Sequence, residues 1–167
     1  NIKIDLVFSS NLKRANETAK LAISQMSLKN LYDKDKNLIM IKDQSLNERD
    51  YGDLVGLNKE ETARKYGKEQ VHIWRRSFEI PPPGGESLKN VLERVDPYFK
   101  QNIKNEIDNK KNVIIVAHGN SLRAIMIAIN LYKPDQISKI ELPTGNPFVI
   151  NYKDKKIVEH KFLIWFL

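Results

Sequence analysis

The sequence predicts an α/β fold of three layers, in which helices cover both faces of a mostly parallel central sheet. Residues 113–116 are a continuous β-branched apolar run, which is typical of a strand buried on both faces. A polar turn follows, and helical apolar spacing resumes at Leu122. The same order of strand, polar turn and helix occurs at residues 2–8 and 12–26. Strands that alternate with helices favour a parallel sheet covered on both sides.

The other predicted elements continue this order. They are a strand at residues 38–41, a loop at 45–57, helices at 59–66 and 70–78, a helical turn at 134–137, a strand at 148–152 and an edge strand within 155–165. A long helix is predicted from its cap Ser87 to about Ile107, and Pro97 should kink or restart it. No repeat or low-complexity segment interrupts the order, so we expect a single domain over residues 1–167.

Composition restricts the class of protein. With 167 residues, of which 41% are hydrophobic, the chain can bury a sizeable core. No apolar run approaches the roughly 20 residues that cross a bilayer, and the apolar end at residues 162–167 is expected to pack on the domain or a partner. Zero cysteines and the lack of a basic-then-apolar leader favour a cytoplasmic protein. Three scattered histidines argue against a metal site.

The net charge of +7 favours anionic partners, either nucleic acid or small phosphorylated molecules. The lysines at residues 100–111 and 153–161 read as ordinary solvated faces, whereas five arginines lie inside motifs: Arg14, Arg49, Arg75, Arg76 and Arg123. A guanidinium is a rigid fork, so this distribution favours a small anion over a diffuse nucleic-acid surface. No aromatic-interleaved basic motif or zinc-finger spacing supports nucleic-acid binding.

Two strand-to-helix turns carry candidate anion-binding residues. His118 follows the strand at 113–116, with Gly119 allowing a sharp turn and Asn120 or Ser121 able to cap the next helix. Helix N-termini at the carboxyl ends of parallel strands bind anions. The alternative is a turn whose histidine only satisfies backbone groups. Arg14 lies in the first turn of the helix predicted at residues 12–26, where it is either a surface arginine or a fork for the same anion.

Two further polar clusters have both a structural and a functional interpretation. Glu48, Arg49 and Tyr51 place a carboxylate, a guanidinium and a phenol within four positions of one compact loop. Such clusters are usually solvated, but this one suggests a site. Arg75 and Arg76 close a helix, which the helix dipole alone would favour; both can engage one ligand if the helix end converges on it.

Seven motifs occur in one order: SSNLKRA, LNERDYG, LNKEE, WRRSFEIPPP, GGESL, AHGNSLR and LPTGNP. Together they resemble the 2,3-bisphosphoglycerate-dependent phosphoglycerate mutases of the histidine phosphatase superfamily. The resemblance covers nearly the whole chain and is weakest past Tyr152. It implies a phosphoglycerate mutase-like α/β fold, and interconversion of 3-phosphoglycerate and 2-phosphoglycerate through a phosphohistidine enzyme in glycolysis and gluconeogenesis.

The resemblance also implies residue roles. Arg14 would contact the transferring phosphoryl group, Glu48 would move the proton of the substrate hydroxyl, and His118 would stabilise charge on the phosphoryl oxygens. The substrate's carboxylate and phosphate would be held by Tyr51, Lys59, Arg75 and Arg76, with Gly119 and Asn120 adding contacts beside His118. The implied cofactor is 2,3-bisphosphoglycerate as phosphoryl donor, with no metal. The implied partners are small phosphorylated carboxylic acids, and the family commonly forms homodimers or homotetramers.

The sequence departs from the family at its start. The nucleophilic histidine of the family lies in an Arg-His-Gly motif after the first strand, and residues 1–167 contain no such motif. We therefore expect the first strand and its loop to be absent here, either because they lie upstream or because the protein is truncated. Smaller departures are Asp50, where the family more often has histidine, and the apolar end.

Three alternatives to the mutase remain open. The first is a catalytically inactive family member that only binds phosphorylated metabolites or dimerises, and the missing motif supports it. The second is a broad-specificity histidine phosphatase. The third is a nucleic-acid binder, which rests on the net charge alone.

Overall fold

A computed structural model describes residues 3–163, except for the side chain of Lys59. In this part of the chain the strands are β1 (Leu6–Ser9), β2 (Ile41–Lys42), β3 (Val113–Val116), β4 (Phe148–Lys153) and β5 (Lys156–Phe162). The helices are α1 (Lys13–Ser24), α2 (Lys59–Tyr66), α3 (Lys68–Arg76), α4 (Leu88–Tyr98), α5 (Lys104–Asp108), α6 (Gly119–Ala128) and α7 (Pro134–Ile137). None of these helices combines the length and the apolar character needed to cross a bilayer.

The first three strands form one parallel sheet in the order β2-β1-β3. Leu6 lies opposite Val113 and Ser9 opposite Val116, so β1 and β3 end at the same edge. The Ser9 hydroxyl donates a hydrogen bond to the Val116 carbonyl oxygen over 3.0 Å and fastens the two strand ends together. The predicted parallel sheet is therefore confirmed, and both strand-to-helix turns leave it side by side.

Helices cover both faces of this sheet. Because successive side chains of a strand point to opposite faces, Phe8 packs with α4 and α6 on one side and Val7 packs with α1 on the other. Val91 and Val95 of α4 and Ala124 of α6 are fully buried in the first cluster. The second cluster contains Ala19 and Ile23 of α1. Two cores separated by a sheet are the three-layer arrangement that the sequence predicts.

Pro97 does not end the long helix at once. Helix α4 continues through Pro97 to Tyr98, a π-helical turn occupies Phe99–Ile103, and α5 follows directly. A proline cannot donate the i→i−4 hydrogen bond, and a wider turn nearby accommodates the interruption. The expected kink or restart therefore takes the form of a π turn.

Two strand predictions need correction. The strand expected at residues 38–41 is reduced to Ile41–Lys42, because Leu38 instead pairs with Tyr32 in an isolated antiparallel bridge. Strands β4 and β5 pair with each other in an antiparallel hairpin and not with the parallel sheet. Asp154 and Lys155 both have positive φ, which matches the two-residue turns that close tight hairpins. Of the apolar end, residues 164–167 lie outside the described part of the chain.

Candidate active site

His118 is the N-cap of α6 and is only 7% exposed. Its Nε2 lies 2.8 Å from the Ser10 hydroxyl, and its Nδ1 lies 3.3 Å from Nε of Arg14. A guanidinium can only donate, so Nδ1 is the acceptor and Nε2 carries the proton towards Ser10. Burial, and then the charge of Arg14, lower the pKa of His118 below its ordinary 6.5. The imidazole is therefore neutral at pH 7, and its Nε2–H donates to Ser10.

The cap of α6 differs from the expectation that Asn120 or Ser121 would occupy it. His118 takes the extended backbone conformation of an N-cap, with φ −129° and ψ 164°. The Ser121 hydroxyl, one turn later, accepts the His118 backbone N–H and donates to the His118 carbonyl oxygen, both over 3.1 Å. Ser121 therefore fixes the histidine backbone from inside the helix, and Asn120 is left free to face the site.

Glu48 reaches the same helix end from the 45–57 loop. Its Oε1 accepts from the Arg49 backbone N–H at 2.8 Å, from the Asn120 side-chain amide at 3.0 Å and from the Asn120 backbone N–H at 3.3 Å. The Asn120 amide also donates to the Tyr51 hydroxyl over 3.3 Å. A carboxylate at a helix N-terminus is favoured by the helix dipole. The fold thus brings Glu48, Tyr51 and Asn120 to the turn that carries His118.

Arginines surround a cavity next to this turn. The cavity measures about 400 Å³ and is lined by Arg49, Tyr51, His72, Arg75, Arg76, Ser77, Leu88, Asn120, Arg123 and Ser138. We call it the arginine cavity. Helix α3 contributes Arg75 and Arg76 from its last turn, and the chain after α7 closes the far wall. The sequence left open whether Arg75 and Arg76 can engage one ligand. In the structure, both line this cavity.

The cations of the site have no acidic partners in the described part of the chain. Of the arginines there, Arg64 and Arg94 form ion pairs, whereas Arg14, Arg49, Arg75, Arg76 and Arg123 form none. Arg49 is buried and Arg75 and Arg123 are half-buried, and positive charge in such positions is costly unless a ligand supplies a counter-charge. This arrangement therefore favours an anion of more than one negative charge.

Arg49 is the most deeply buried of these arginines without an acidic partner, since it is only 3% exposed. Its guanidinium lies 4.5 Å from the centre of the Tyr51 ring and donates to the Arg75 carbonyl oxygen over 3.2 Å. The Nε atoms of Arg49 and Arg75 are buried and lack a hydrogen-bond partner among the described residues. On the opposite wall, burial and the nearby charge of Arg76 lower the pKa of Arg123, whose guanidinium nevertheless stays charged.

Two predicted site residues, Lys59 and Gly119, are the first residues of helices. Lys59 is the first residue of α2, and its side chain lies outside the described part of the chain. Gly119 is the first residue of α6, and a Cβ there would lie 3.1 Å from Nη1 of Arg123. Glycine at this position therefore leaves room for the arginine beside the cavity.

The sequence placed Arg49 and Arg123 among the arginines that favour a small anion, and Arg49 in a cluster that suggests a site, but it gave neither of them a specific role. It gave Ser10 and His72 no site role at all. Arg123 had a usable signal, since it follows Gly119 by four residues in one helix and so shares its face. Ser10 had none, because it meets a histidine that is 108 positions away. His72 lies on a helix as predicted, but that helix forms a wall of the cavity.

Comparison with known proteins identifies the class. The sequence model of the histidine phosphatase superfamily (branch 1) matches residues 1–163. The chain is 46% identical over 160 residues to a 2,3-bisphosphoglycerate-dependent phosphoglycerate mutase of Methylocella silvestris, covering 96% of this chain and 74% of the relative. A protein of the same name from Brucella anthropi is 44% identical over 163 residues, covering 98% and 76%.

Solved structures agree on the fold. A mycobacterial glucosyl-3-phosphoglycerate phosphatase in complex with inorganic phosphate superposes with a TM-score of 0.73 at 21% identity, over 97% of this chain and 76% of that one. The alpha-ribazole phosphatase of Shigella flexneri gives 0.72 at 20% identity, over 94% and 72%. The chain therefore belongs to the histidine phosphatase superfamily. Within that superfamily, it is a relative of the 2,3-bisphosphoglycerate-dependent phosphoglycerate mutases.

Proposed function

We propose that the protein interconverts 3-phosphoglycerate and 2-phosphoglycerate, with phosphoryl transfer at the His118 turn and the rest of the substrate in the arginine cavity. The observation that carries the proposal is the juxtaposition of these two parts. One end of the site offers neutral His118 and Arg14, the other offers four arginines that form no ion pair among the described residues, and Glu48 lies beside Asn120. Phosphoglycerates carry a phosphate, a hydroxyl and a carboxylate, which are the three groups that such a site can address.

The roles follow from the chemistry of each group. A phosphoryl group in transit needs donors at its equatorial oxygens, which His118 and Arg14 provide from two sides. The substrate hydroxyl must lose and regain a proton, and Glu48 is the carboxylate placed beside it. The carboxylate and the stationary phosphate are held by Tyr51, Lys59, Arg75 and Arg76, with Gly119 and Asn120 completing the contacts. Buried Arg49 and half-buried Arg123 add positive charge behind them.

The residues present also fit 2,3-bisphosphoglycerate, the cofactor named for the relatives. Its two phosphates and carboxylate match the excess of unpaired guanidinium groups, including the buried Nε atoms of Arg49 and Arg75. Arg14 and the arginine cavity would hold it, and it would supply a phosphoryl group, whose acceptor in the family is the histidine of an Arg-His-Gly motif that residues 1–167 do not contain. The chain's own residues would orient the bound acid.

A phosphatase is the second candidate. The two solved structures compared above are phosphatases by name, and the same His118 and Arg14 pair would suit phosphate release to water. The arginine cavity favours the mutase, since a substrate that must be kept while its phosphate changes position needs additional cationic contacts.

Phosphorus NMR of the natural gene product separates the candidates. The protein is incubated with 3-phosphoglycerate and a trace of 2,3-bisphosphoglycerate, and 2-phosphoglycerate and inorganic phosphate are followed together. We expect 2-phosphoglycerate to appear faster than phosphate. Phosphate without 2-phosphoglycerate would make the protein a phosphatase. Binding of 3-phosphoglycerate without either product would make it a non-catalytic binding protein.

A further inference from the structure

Arg94 of α4 holds the backbone of the loop that carries Glu48. Its guanidinium donates to the carbonyl oxygens of Ser45 at 2.6 Å, Asn47 at 3.1 Å and Glu48 at 3.3 Å. Three carbonyl oxygens within four residues of backbone are thus tied to one rigid side chain. Arg94 does not line the arginine cavity, so its contacts serve the loop and not a ligand. We call residues 45–50 the Glu48 segment.

Glu86 completes the attachment from the other side. Its carboxylate accepts from Nε and Nη2 of Arg94 at 2.8 and 2.9 Å, and from the backbone N–H of Asp50 at 2.9 Å. The Glu86 backbone N–H donates in turn to the Asp50 carbonyl oxygen over 2.8 Å. Burial opposes ionisation, but the hydrogen bonds from Arg94 and Asp50 lower the pKa of Glu86 below 4.5. The pair is therefore charged at neutral pH and fixes both ends of the segment.

Local backbone packing leaves the segment little freedom to shift. Gly85 approaches so closely that a Cβ on it would lie 2.7 Å from the Asp50 carbonyl oxygen and 2.8 Å from the Gly52 nitrogen. The Asp53 backbone N–H also donates to the Pro83 carbonyl oxygen over 2.9 Å. The chain at residues 83–86 therefore supports the same loop that Arg94 holds.

We propose that Arg94 and Glu86 are positioning residues, which set the direction in which Glu48 meets Asn120. Glu48 contacts Asn120 through a single oxygen, so the register of its backbone decides whether the other oxygen faces the site. Displacement of a reacting group by about 1 Å can lower a rate about 100-fold. The role of Glu48 as proton carrier rests on the proposed function. The orientation of Glu48 by Arg94 and Glu86 does not depend on it.

The test uses Arg94→Lys and Glu86→Gln, which keep size and much of the local polarity. Arg94→Lys loses the planar fork that reaches three carbonyls. The matched control is Lys100→Gln, which removes the Lys100–Asp96 ion pair of 2.7 Å just past the same helix and touches neither loop. The first readout is the ¹H–¹⁵N spectrum, in which the Asn120 side-chain amide and the Arg49 backbone amide report their hydrogen bonds to Glu48.

We expect both variants to shift the Asn120 and Arg49 signals in the direction that Glu48→Ala shifts them, while the control leaves them in place. In the isomerisation assay we expect kcat to fall about tenfold or more and KM to change less than about threefold. Unmoved Asn120 and Arg49 signals in both variants, or wild-type kcat in both, would overturn the inference. A merely structural role would lower thermal stability and leave both signals and kcat of the folded protein unchanged. An inactive wild type would instead contradict the proposed function, and the spectra would still decide the positioning role.

Discussion

Nε of Arg14 lies 3.3 Å from Nδ1 of His118, so the cation of this pair meets a neutral imidazole and not a carboxylate. The contact brings positive charge to the helix end without neutralising it. An arriving phosphoryl group would supply the missing negative charge and stabilise the protonated imidazole. The free site therefore carries uncompensated positive charge, which favours an anion. The neutral state of His118 can be measured through the pH dependence of stability.

His118 should make the protein less stable in mild acid. Its pKa in the folded state lies below the ordinary 6.5, so the unfolded chain binds the proton more tightly. The contribution to stability is fully present above pH 6.5 and is lost as the pH falls through the lower, folded value. We expect His118→Gln to flatten this part of the curve in urea titrations from pH 7.5 downwards. His72→Gln, the control for removing a histidine, should keep the wild-type slope; an unchanged slope in His118→Gln would contradict the assignment.

Glu48→Gln should separate binding from turnover. The amide oxygen can still accept from Asn120, so we expect the Kd for 3-phosphoglycerate to change less than about threefold. Without an ionisable carboxylate, isomerisation should fall about 10²- to 10⁴-fold. Calorimetry and initial rates on the natural gene product measure the two effects. Near-normal turnover would remove Glu48 from its proposed role as proton carrier.

Arg76→Gln should weaken the binding of phosphoglycerate. Hydrogen bonds to charged groups contribute about 1.5–3 kcal/mol, which corresponds to about tenfold or more in Kd. Arg64→Gln is the matched control, because Arg64 is an exposed arginine that pairs with Glu60 on α2. We expect calorimetry to show the loss for Arg76→Gln alone. Equal losses in both variants would indicate general charge attraction and not a contact in the arginine cavity.

Gly52→Ala should destabilise the protein far more than Gly56→Ala. Both glycines have positive φ, but a Cβ on Gly52 would collide with the Pro83 carbonyl oxygen, whereas nothing lies within 4 Å of one on Gly56. Backbone strain alone costs about 1–3 kcal/mol, and the collision adds to it. Urea unfolding should therefore show a clearly larger loss for Gly52→Ala. Similar losses would mean that the loops at residues 50–53 and 83–86 are not in close contact.

The elements that the sequence predicts best are those with a strong local pattern. The β-branched run at residues 113–116 and the helix after it are where the periodicity puts them, and Ser87 caps α4 as expected. The partner of a strand is not a local property, which is why the sequence predicts a strand at residues 148–152 and an edge strand within 155–165 but not that the two pair as a hairpin apart from the parallel sheet. Motif resemblance suggested roles for residues such as Glu48 and His118, which the fold brings together, and it named none of the contacts that fix them. The hydrogen bonds of His118 to Ser10 and of Arg94 to the Glu48 segment join residues far apart in sequence, so only the fold reveals them.

The most direct test of the account compares the binding of 3-phosphoglycerate and glycerol 3-phosphate by calorimetry. The two ligands differ by the carboxylate that the arginine cavity is proposed to hold. We predict at least about tenfold tighter binding of 3-phosphoglycerate, with the difference abolished in Arg76→Gln. Equal affinities in the wild type would contradict the proposal, because the cavity would then not distinguish a phosphorylated acid from a simple phosphate ester.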